Sequence, residues 1–310
     1  MLTPIVHRVR RSQAGFSLIE LMISTGILLV VSSAVTSALM QMTMSQSTIW
    51  NRTQMHGGVR SATELLQQEV GQAGRVALPG TVTLTANVAV GPQTVGVSSA
   101  AGMFVGEQLT IDAGASQESV TLAAVDLGNN TITGTFTLPH ANGAPVMVFG
   151  GFGSGIVPPA MANGSTGTRL KLYGDVNGDG NMVYVEYFCD TANGNLYRNS
   201  IPFDAGAKPA LTPGDILLAN ILPNPDGTPC FTYNPNPLPV VGGSTYVLDV
   251  AITLTVQTQT RDRITNAFQL ETKALLNVSP RNVFSVWQLA SAGVTNRVQP
   301  MPATVAALLP

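Results

Sequence analysis

Oxygen-bearing side chains recur at metal-ligand spacing between residues 175 and 186. Asp175, Asn177 and Asp179 stand at the first, third and fifth positions of a loop in which Gly180 is sixth and Glu186 is twelfth. This spacing is typical of a calcium-binding loop, in which a tight turn gathers several oxygen ligands around one hard cation. The sequence therefore predicts a candidate calcium site, with calcium as its cofactor.

The residues after this loop leave a second interpretation open. Residues 182–188 are rich in β-branched and aromatic side chains and predict a strand, whereas an EF-hand loop leads into a helix. On a strand, Glu186 would point away from the other ligands. The alternative is a polar turn in which Asp and Asn side chains cap backbone N–H groups and Gly supplies positive φ.

A second chemically informative residue, Glu20, lies inside an apolar segment. It is the only ionisable side chain in residues 16–40. A helix over this segment would be about 37 Å long, enough to cross a hydrocarbon core of about 30 Å. Arg8, Arg10 and Arg11 precede it without an acidic residue, and this bias keeps the N-terminal side in the cytoplasm. We therefore predict a single membrane span with the rest of the chain exported.

A carboxylate inside a membrane span normally has a partner, because a central charged residue costs about 2.5–3.5 kcal/mol to insert. The apolar run is also longer than the apolar region of about 7–15 residues in a cleavable secretory signal. The simple alternative is a signal anchor that happens to carry Glu20.

The segment resembles the processing site of type IV prepilins and type II secretion pseudopilins, a similarity carried by Gly15-Phe16-Ser17-Leu18-Ile19-Glu20 after a basic leader. The resemblance implies cleavage between Gly15 and Phe16 by a prepilin peptidase and methylation of the new amino group of Phe16. It also implies that Glu20 contacts the N-terminal ammonium of a neighbouring subunit. The implied partners are the lipid bilayer, other major and minor pilins and the inner-membrane pilus assembly machinery.

The exported part holds both cysteines, Cys189 and Cys230, and oxidation is permitted outside the cytoplasm. We expect them to form a disulfide, which would close a loop of about forty residues and contribute about 3–4 kcal/mol in the chain-entropy model. Two buried free thiols are the alternative.

The fold class expected from these patterns is α+β, with a long N-terminal helix packed on an antiparallel sheet and an inserted all-β module. The helix is predicted over residues 16–76, and Gly57-Gly58 is a candidate bend. Its second half is amphipathic, and its apolar face should pack on the head. That face consists of Met55, Val59, Ala62, Leu66 and Ala73.

We expect five organisational units, of which the leader and the pilin head are implied by the resemblance. They are a leader (1–15), the helix (16–76), the inserted module (81–150), the pilin head (151–290) and a loosely attached tail (291–310). The module is rich in short β runs and reads either as a spacer or as a binding module. In the head, residues 246–257 alternate over twelve positions, and residues 268–278 are the expected partner strand.

Within the pilin-like family, three local sequences make the chain most similar to PilW-type minor pilins. They are the Gly178-Asp179-Gly180 turn, the later Leu196-Tyr197-Arg198 and the ending Pro280-Arg281-Asn282, which also resembles J-type pseudopilins. The resemblance implies a minor pilin that primes or caps a type IV pilus, first in the inner membrane with a periplasmic head and then at the cell surface. The alternatives are a J-type pseudopilin and a calcium-dependent adhesin carried on a pilin stem.

Other function classes have little support. The formal net charge of −2 gives no argument for nucleic-acid binding. The three histidines are scattered along the chain, with His7 in the leader, His56 on the helix and His140 in a turn that we expect to be solvated. Ser154 lacks the Gly-x-Ser-x-Gly spacing of a nucleophile elbow, because Phe152 stands where the first glycine is required. We therefore expect a non-catalytic protein.

Overall fold

The computed structural model describes residues 15–309. A long helix, α1 (Leu18–Gln72), leads into a head of antiparallel sheets and two short helices, which confirms the expected α+β class. The helix is shorter at both ends than the predicted 16–76. It starts after Ser17, whose backbone is extended, and stops before Ala73 and Gly74, where φ at Gly74 is +80°. The predicted leader, apart from Gly15, lies outside the described residues.

The helix runs without interruption through Gly57 and Gly58, the candidate bend. Gly58 has a packing role. A Cβ atom at this position would lie 3.2 Å from Cδ1 of Leu218, so the missing side chain lets the head approach the helix closely.

The first sheet of the head contains six antiparallel strands in the order β1-β6-β3-β4-β5-β2. Its strands are β1 (Val82–Thr83), β2 (Gly91–Gly96), β3 (Gln108–Ile111), β4 (Glu118–Asp126), β5 (Thr131–Phe136) and β6 (Pro145–Val148). Residues 81–150 therefore form the short β strands that their composition predicted. The sheet encloses its own cluster of buried side chains, including Leu109, Ile132 and Phe136.

The second sheet packs against the helix and has the order β11-β10-β9-β8. A short strand, β7 (Gly151–Phe152), precedes it. Its own strands are β8 (Arg169–Gly174), β9 (Val183–Asp190), β10 (Asn195–Pro202) and β11 (Ile216–Ala219). Strands β9 and β10 form the expected hairpin across the Asn193-Gly194 turn, where φ at Gly194 is +70°.

The third sheet is built around one long strand and also contacts the helix. Its strands are β12 (Ile221–Leu222), β13 (Phe231–Asn234), β16 (Asp249–Gln257) and β17 (Leu270–Val278), with the small pair β14 (Val240–Val241) and β15 (Ser244–Thr245) between them in the chain. Strand β17 pairs with β16 in antiparallel register, as the alternation of residues 246–257 and 268–278 predicted.

The C-terminal residues are built into the head, so the expectation of a loosely attached tail is wrong. They form α2 (Arg281–Ser291), β18 (Val298–Gln299), which pairs with β7 in parallel, and α3 (Ala303–Leu308). Val305, Leu308 and Leu309 are buried with Phe152 and Tyr173. A run with few charges and regularly placed apolar residues is held by burial, since each such side chain removes apolar area from water.

The main core lies between α1 and the second and third sheets. The predicted apolar face of the helix, Met55 to Ala73, is buried there together with Leu170, Val185 and Ile252. The Gln299 side chain bridges the C-terminal segment to the first sheet. It accepts from the Gln108 N–H at 2.8 Å and donates to the Gln108 carbonyl at 2.8 Å.

Candidate functional site

The N-terminal half of α1 is an apolar rod that nothing in the head covers. Residues 15–46 are all exposed, and Phe16 retains 82% of its accessible surface. An 18-residue window of this helix has a mean hydropathy of 2.1, so the helix is long and apolar enough to cross a membrane. A surface of this kind is stable only against lipid or against other apolar helices.

Hydroxyl side chains along the rod satisfy their own hydrogen bonds. Thr25 donates to the Leu21 carbonyl at 2.8 Å, and Thr36 donates to the Ser32 carbonyl at 2.8 Å. Thr43 bonds back one turn in the same way. Polar groups in hydrocarbon need a partner, and these internal bonds remove that cost for the hydroxyls that form them.

Glu20 differs from these hydroxyls because it has no such partner. It lies on the first turn of α1 and is exposed among apolar side chains. None of the ion pairs within residues 15–309 involves it. The positive end of the helix dipole favours a carboxylate there, by about 0.3–1 kcal/mol, which is less than the cost of burying it in lipid.

The helix is fixed to the head by a buried polar contact that the sequence analysis missed. Glu69 is 1% exposed and accepts a 2.5 Å hydrogen bond from the Tyr187 hydroxyl on β9. Arg198 on β10 donates to the same carboxylate. Burial lowers the pKa of Arg198, but the hydrogen bond and charge of Glu69 outweigh it and the pKa lies above its ordinary value. Burial also raises the pKa of the Tyr187 hydroxyl, which therefore stays protonated and donates.

The predicted calcium loop is a polar turn in the structure. Asp175 is fully buried, and its carboxylate accepts from the backbone N–H groups of Asp179, at 3.0 Å, and Gly180, at 3.3 Å. Arg75, just after α1, pairs with the same carboxylate at 3.4 Å. Gly178 and Gly180 adopt positive φ, as the alternative interpretation required. The turn therefore ties the end of the helix to the second sheet.

Two other predicted calcium ligands are directed elsewhere. Asp179 caps the N–H of Asn181 at 2.8 Å. Glu186 lies on β9 opposite Lys171, and its carboxylate bonds to Arg169 and Lys208. Asn177 is exposed at the tip of the turn. Within residues 15–309, no group of three or more His, Cys, Asp or Glu side chains is arranged to hold a metal ion.

Cys189 and Cys230 form a disulfide, which confirms the expected pairing. Cys189 lies on β9 of the second sheet, and Cys230 directly precedes β13 of the third sheet. Both sulfurs lie in the core that also contains the buried face of α1. The bond therefore joins the two sheets on which the helix packs.

The expectation that His140 is solvated is wrong. Its side chain is buried in the first sheet between two carboxylates, Asp112, 3.2 Å from Nδ1, and Glu118, 2.6 Å from Nε2. The backbone bridge between His140 and Val88 pulls this turn onto the sheet. Burial raises the pKa of Glu118, but hydrogen bonds from Thr137, His140 and Leu138 lower it below its ordinary value.

The remaining candidates have structural partners. His56 on α1 lies within ion-pair distance of Glu271 on β17, and the Ser154 hydroxyl lies 3.0 Å from the Tyr173 hydroxyl. His7 lies outside the described residues.

Comparison with known proteins adds one finding at the N-terminus. The family described as the prokaryotic N-terminal methylation motif matches residues 10–36. No curated protein and no solved structure matches the chain.

The matched residues contain the basic end of the leader, the Gly15-Phe16 junction and Glu20, and the exposed apolar helix follows directly. The motif indicates a type IV pilin-like or pseudopilin-like protein, and it implies processing by a prepilin peptidase and assembly with pilin machinery in general. The apolar helix is consistent with membrane anchoring.

Proposed function

We propose that this chain is a non-catalytic minor type IV pilin, most similar to the PilW type, that primes assembly of a pilus or occupies its tip. The observation that carries the proposal is the methylation motif at residues 10–36 continued by an apolar helix that the head leaves bare. The subunit waits in the inner membrane, is cut between Gly15 and Phe16, and enters the filament by packing its helix among similar helices.

Glu20 gives this packing its polar component. The head offers it no ion pair, and lipid disfavours it, so a cation supplied by another subunit would lower its free energy. The amino group at the processed N-terminus of a neighbouring subunit is such a cation, and in the helix bundle it would lie at the same depth as Glu20. This step explains why a carboxylate is retained in an otherwise apolar segment.

The size of the head supports a role at low copy number. The first sheet, β1 to β6, adds a second hydrophobic cluster beside the core that holds the helix. In a repeating filament every subunit must pack against copies of itself, whereas a tip subunit leaves one side free. The additional sheet is easier to accommodate at that end.

The rival assignment is a J-type pseudopilin of a type II secretion system, favoured by the Pro280-Arg281-Asn282 ending at the start of α2. Mass spectrometry of filaments sheared from cells tests the proposal. We expect a peptide that begins at N-methylated Phe16 in the pilus fraction. Recovery only with a secretion apparatus would establish the pseudopilin instead, and an intact leader on the exported chain would contradict both.

A further inference from the structure

A cation-rich pocket lies on the side of the second sheet that faces away from α1. Leu170 and Leu172 of β8 point into the core with the helix, so Lys171 between them points to the opposite side. There it lies in an open cavity of about 560 Å³. We call this cavity, whose lining includes Arg169, Lys171, Glu186, Asn199 and Lys208, the cationic pocket.

The strand register brings the polar residues of the pocket into one row. Lys171 on β8 stands opposite Glu186 on β9, which in turn stands opposite Asn199 on β10. Glu186 is 4% exposed and is the only carboxylate among the described lining residues. Its oxygens accept from Arg169, from Lys208 at 2.7 Å and from Tyr184 at 3.1 Å.

The charges of the described lining residues do not balance. Among them, Arg169, Lys171 and Lys208 carry three positive charges against the single negative charge of Glu186, a formal excess of +2 in a chain whose net charge is −2. The pocket also contains two of the three lysines of the sequence. Such a local excess raises the concentration of anions near the site.

Several donors in the pocket remain available. Within the described residues, the side chains of Arg169 and Lys208 donate hydrogen bonds only to Glu186, although a guanidinium has five N–H donors and an ammonium has three. Lys171 donates to the Asn163 carbonyl at 2.7 Å and to the Leu309 carbonyl. Burial lowers the pKa of Lys171; Glu186 opposes this effect, and Lys208 and Arg169 reinforce it.

Aromatic rings hold the arginine in place. The Arg169 guanidinium lies 3.9 Å from the centre of the Phe188 ring, which stacks on Tyr197 at 6.1 Å. A stacked guanidinium keeps its remaining N–H groups in a fixed plane, and that arrangement suits bidentate binding of an oxyanion.

We propose that the cationic pocket binds an oxyanion, the carboxylate or sulfate group of a small acidic ligand such as a uronic acid or a sulfated sugar. The anion would lie between Arg169 and Lys208 and supply the negative charge that Glu186 alone does not. It would accept hydrogen bonds from the unused N–H donors of both side chains. This binding is independent of helix packing and of the proposed place in a filament.

Lysine NMR of the full-length chain in detergent micelles tests the site, because the sequence holds only three lysines. Sodium sulfate replaces sodium chloride at constant ionic strength, and the signals are assigned with Lys208→Gln and Lys273→Gln. We expect saturable shifts for Lys171 and Lys208 and none for Lys273, which lies on β17 of the third sheet. Equal shifts for all three lysines, or no saturation, would overturn the proposal.

The same two substitutions give a matched functional comparison. Each removes one lysine, and only Lys208 lies in the pocket. Lys208→Gln should weaken sulfate binding about tenfold, equivalent to about 1.4 kcal/mol, while Lys273→Gln leaves it unchanged. Glucuronate should compete with sulfate, and neutral glucose should not. Failure of glucuronate to compete would overturn the proposal that the oxyanion belongs to a small acidic ligand, and would leave a site for free inorganic anions.

Discussion

The two oxygens of the Glu69 carboxylate on α1 share a bifurcated hydrogen bond from the Nε–H of Arg198 on β10, at 3.1 and 3.2 Å. The Tyr187 hydroxyl donates to the same group. A charged residue in the buried face of a helix is costly unless it is paired, so this contact determines how the helix and the second sheet dock.

Removal of Arg198 should therefore destabilise the head. Arg198→Gln leaves the buried Glu69 carboxylate without its counter-charge, and the free energy of unfolding should fall by about 3 kcal/mol, the low end for a broken buried pair because the Arg198 side chain is 24% exposed. Thermal unfolding of the full-length protein in detergent measures this loss.

The control for this substitution is Arg60→Gln. Arg60 pairs with Glu64 on the exposed side of the same helix, at 2.7 Å, and its loss should leave the melting temperature unchanged. The triple variant Glu69→Leu, Tyr187→Phe and Arg198→Met removes the carboxylate together with both of its donors and should regain most of the stability. Equal melting temperatures for Arg198→Gln and Arg60→Gln would contradict the proposed importance of the buried pair.

Stability should also depend on pH through Glu107 in the first sheet. Its side chain is fully buried, and burial raises its pKa from the ordinary 4.5 to about 8, against a hydrogen bond from the Phe104 N–H. Because the unfolded chain releases this proton first, the stabilisation is complete below pH about 4.5 and is lost as the pH rises through about 8. The loss approaches about 3 kcal/mol by pH 7.

Unfolding measured from pH 4.5 to 8 tests this dependence. Glu107→Gln cannot ionise, so its stability should change less over this range than that of the wild type. Glu64→Gln, which replaces an exposed glutamate, should keep the wild-type slope. Parallel curves for wild type and Glu107→Gln would show that the Glu107 carboxyl does not titrate in this window.

Replacement of Glu20 should separate processing from assembly. Glu20→Gln leaves the Gly15-Phe16 junction intact, so the leader should still be removed, but the chain should fall on the order of tenfold in sheared filaments because the cation of the neighbouring subunit loses its partner. Immunoblots of membrane and filament fractions measure both steps. Glu64→Gln serves as the control, and normal incorporation of Glu20→Gln would eliminate the assembly role of the carboxylate.

Replacement of Gly15 should block processing itself. Gly15→Val introduces a branched side chain at the junction. The chain should therefore retain its leader and run as a slower band on a gel. Gly26→Ala changes a second glycine, within the span, where a Cβ meets no atom within 4 Å, and it should be processed normally. Equal mobility of wild type and Gly15→Val chains would place the cleavage elsewhere.

Local pattern was sufficient for much of the fold. The apolar stripe from Met55 to Ala73, the hairpin at Asn193-Gly194 and the pairing of β16 with β17 were all predictable, because helical and strand periodicity record which side is buried. The disulfide followed from two exported cysteines.

The interpretations that failed depended on contacts between distant residues. The sequence near His140 does not indicate that Asp112 and Glu118 enclose its ring. Likewise, the sequence near Glu186 does not indicate its ion pair with Lys208. Glu69 could have been found. It lies three residues after Leu66 on the buried stripe, and a charged residue in that position requires a partner.

The disulfide between Cys189 and Cys230 has a mechanical consequence. Tension applied along α1 would be shared by the second and third sheets, since the helix is packed on both, and those sheets are also covalently tied to each other. Shearing one sheet off the rod would require dragging its neighbour with it. In a stretched fibre, both sheets of a subunit would therefore resist detachment from the helix together, provided that the disulfide had formed before tension was applied.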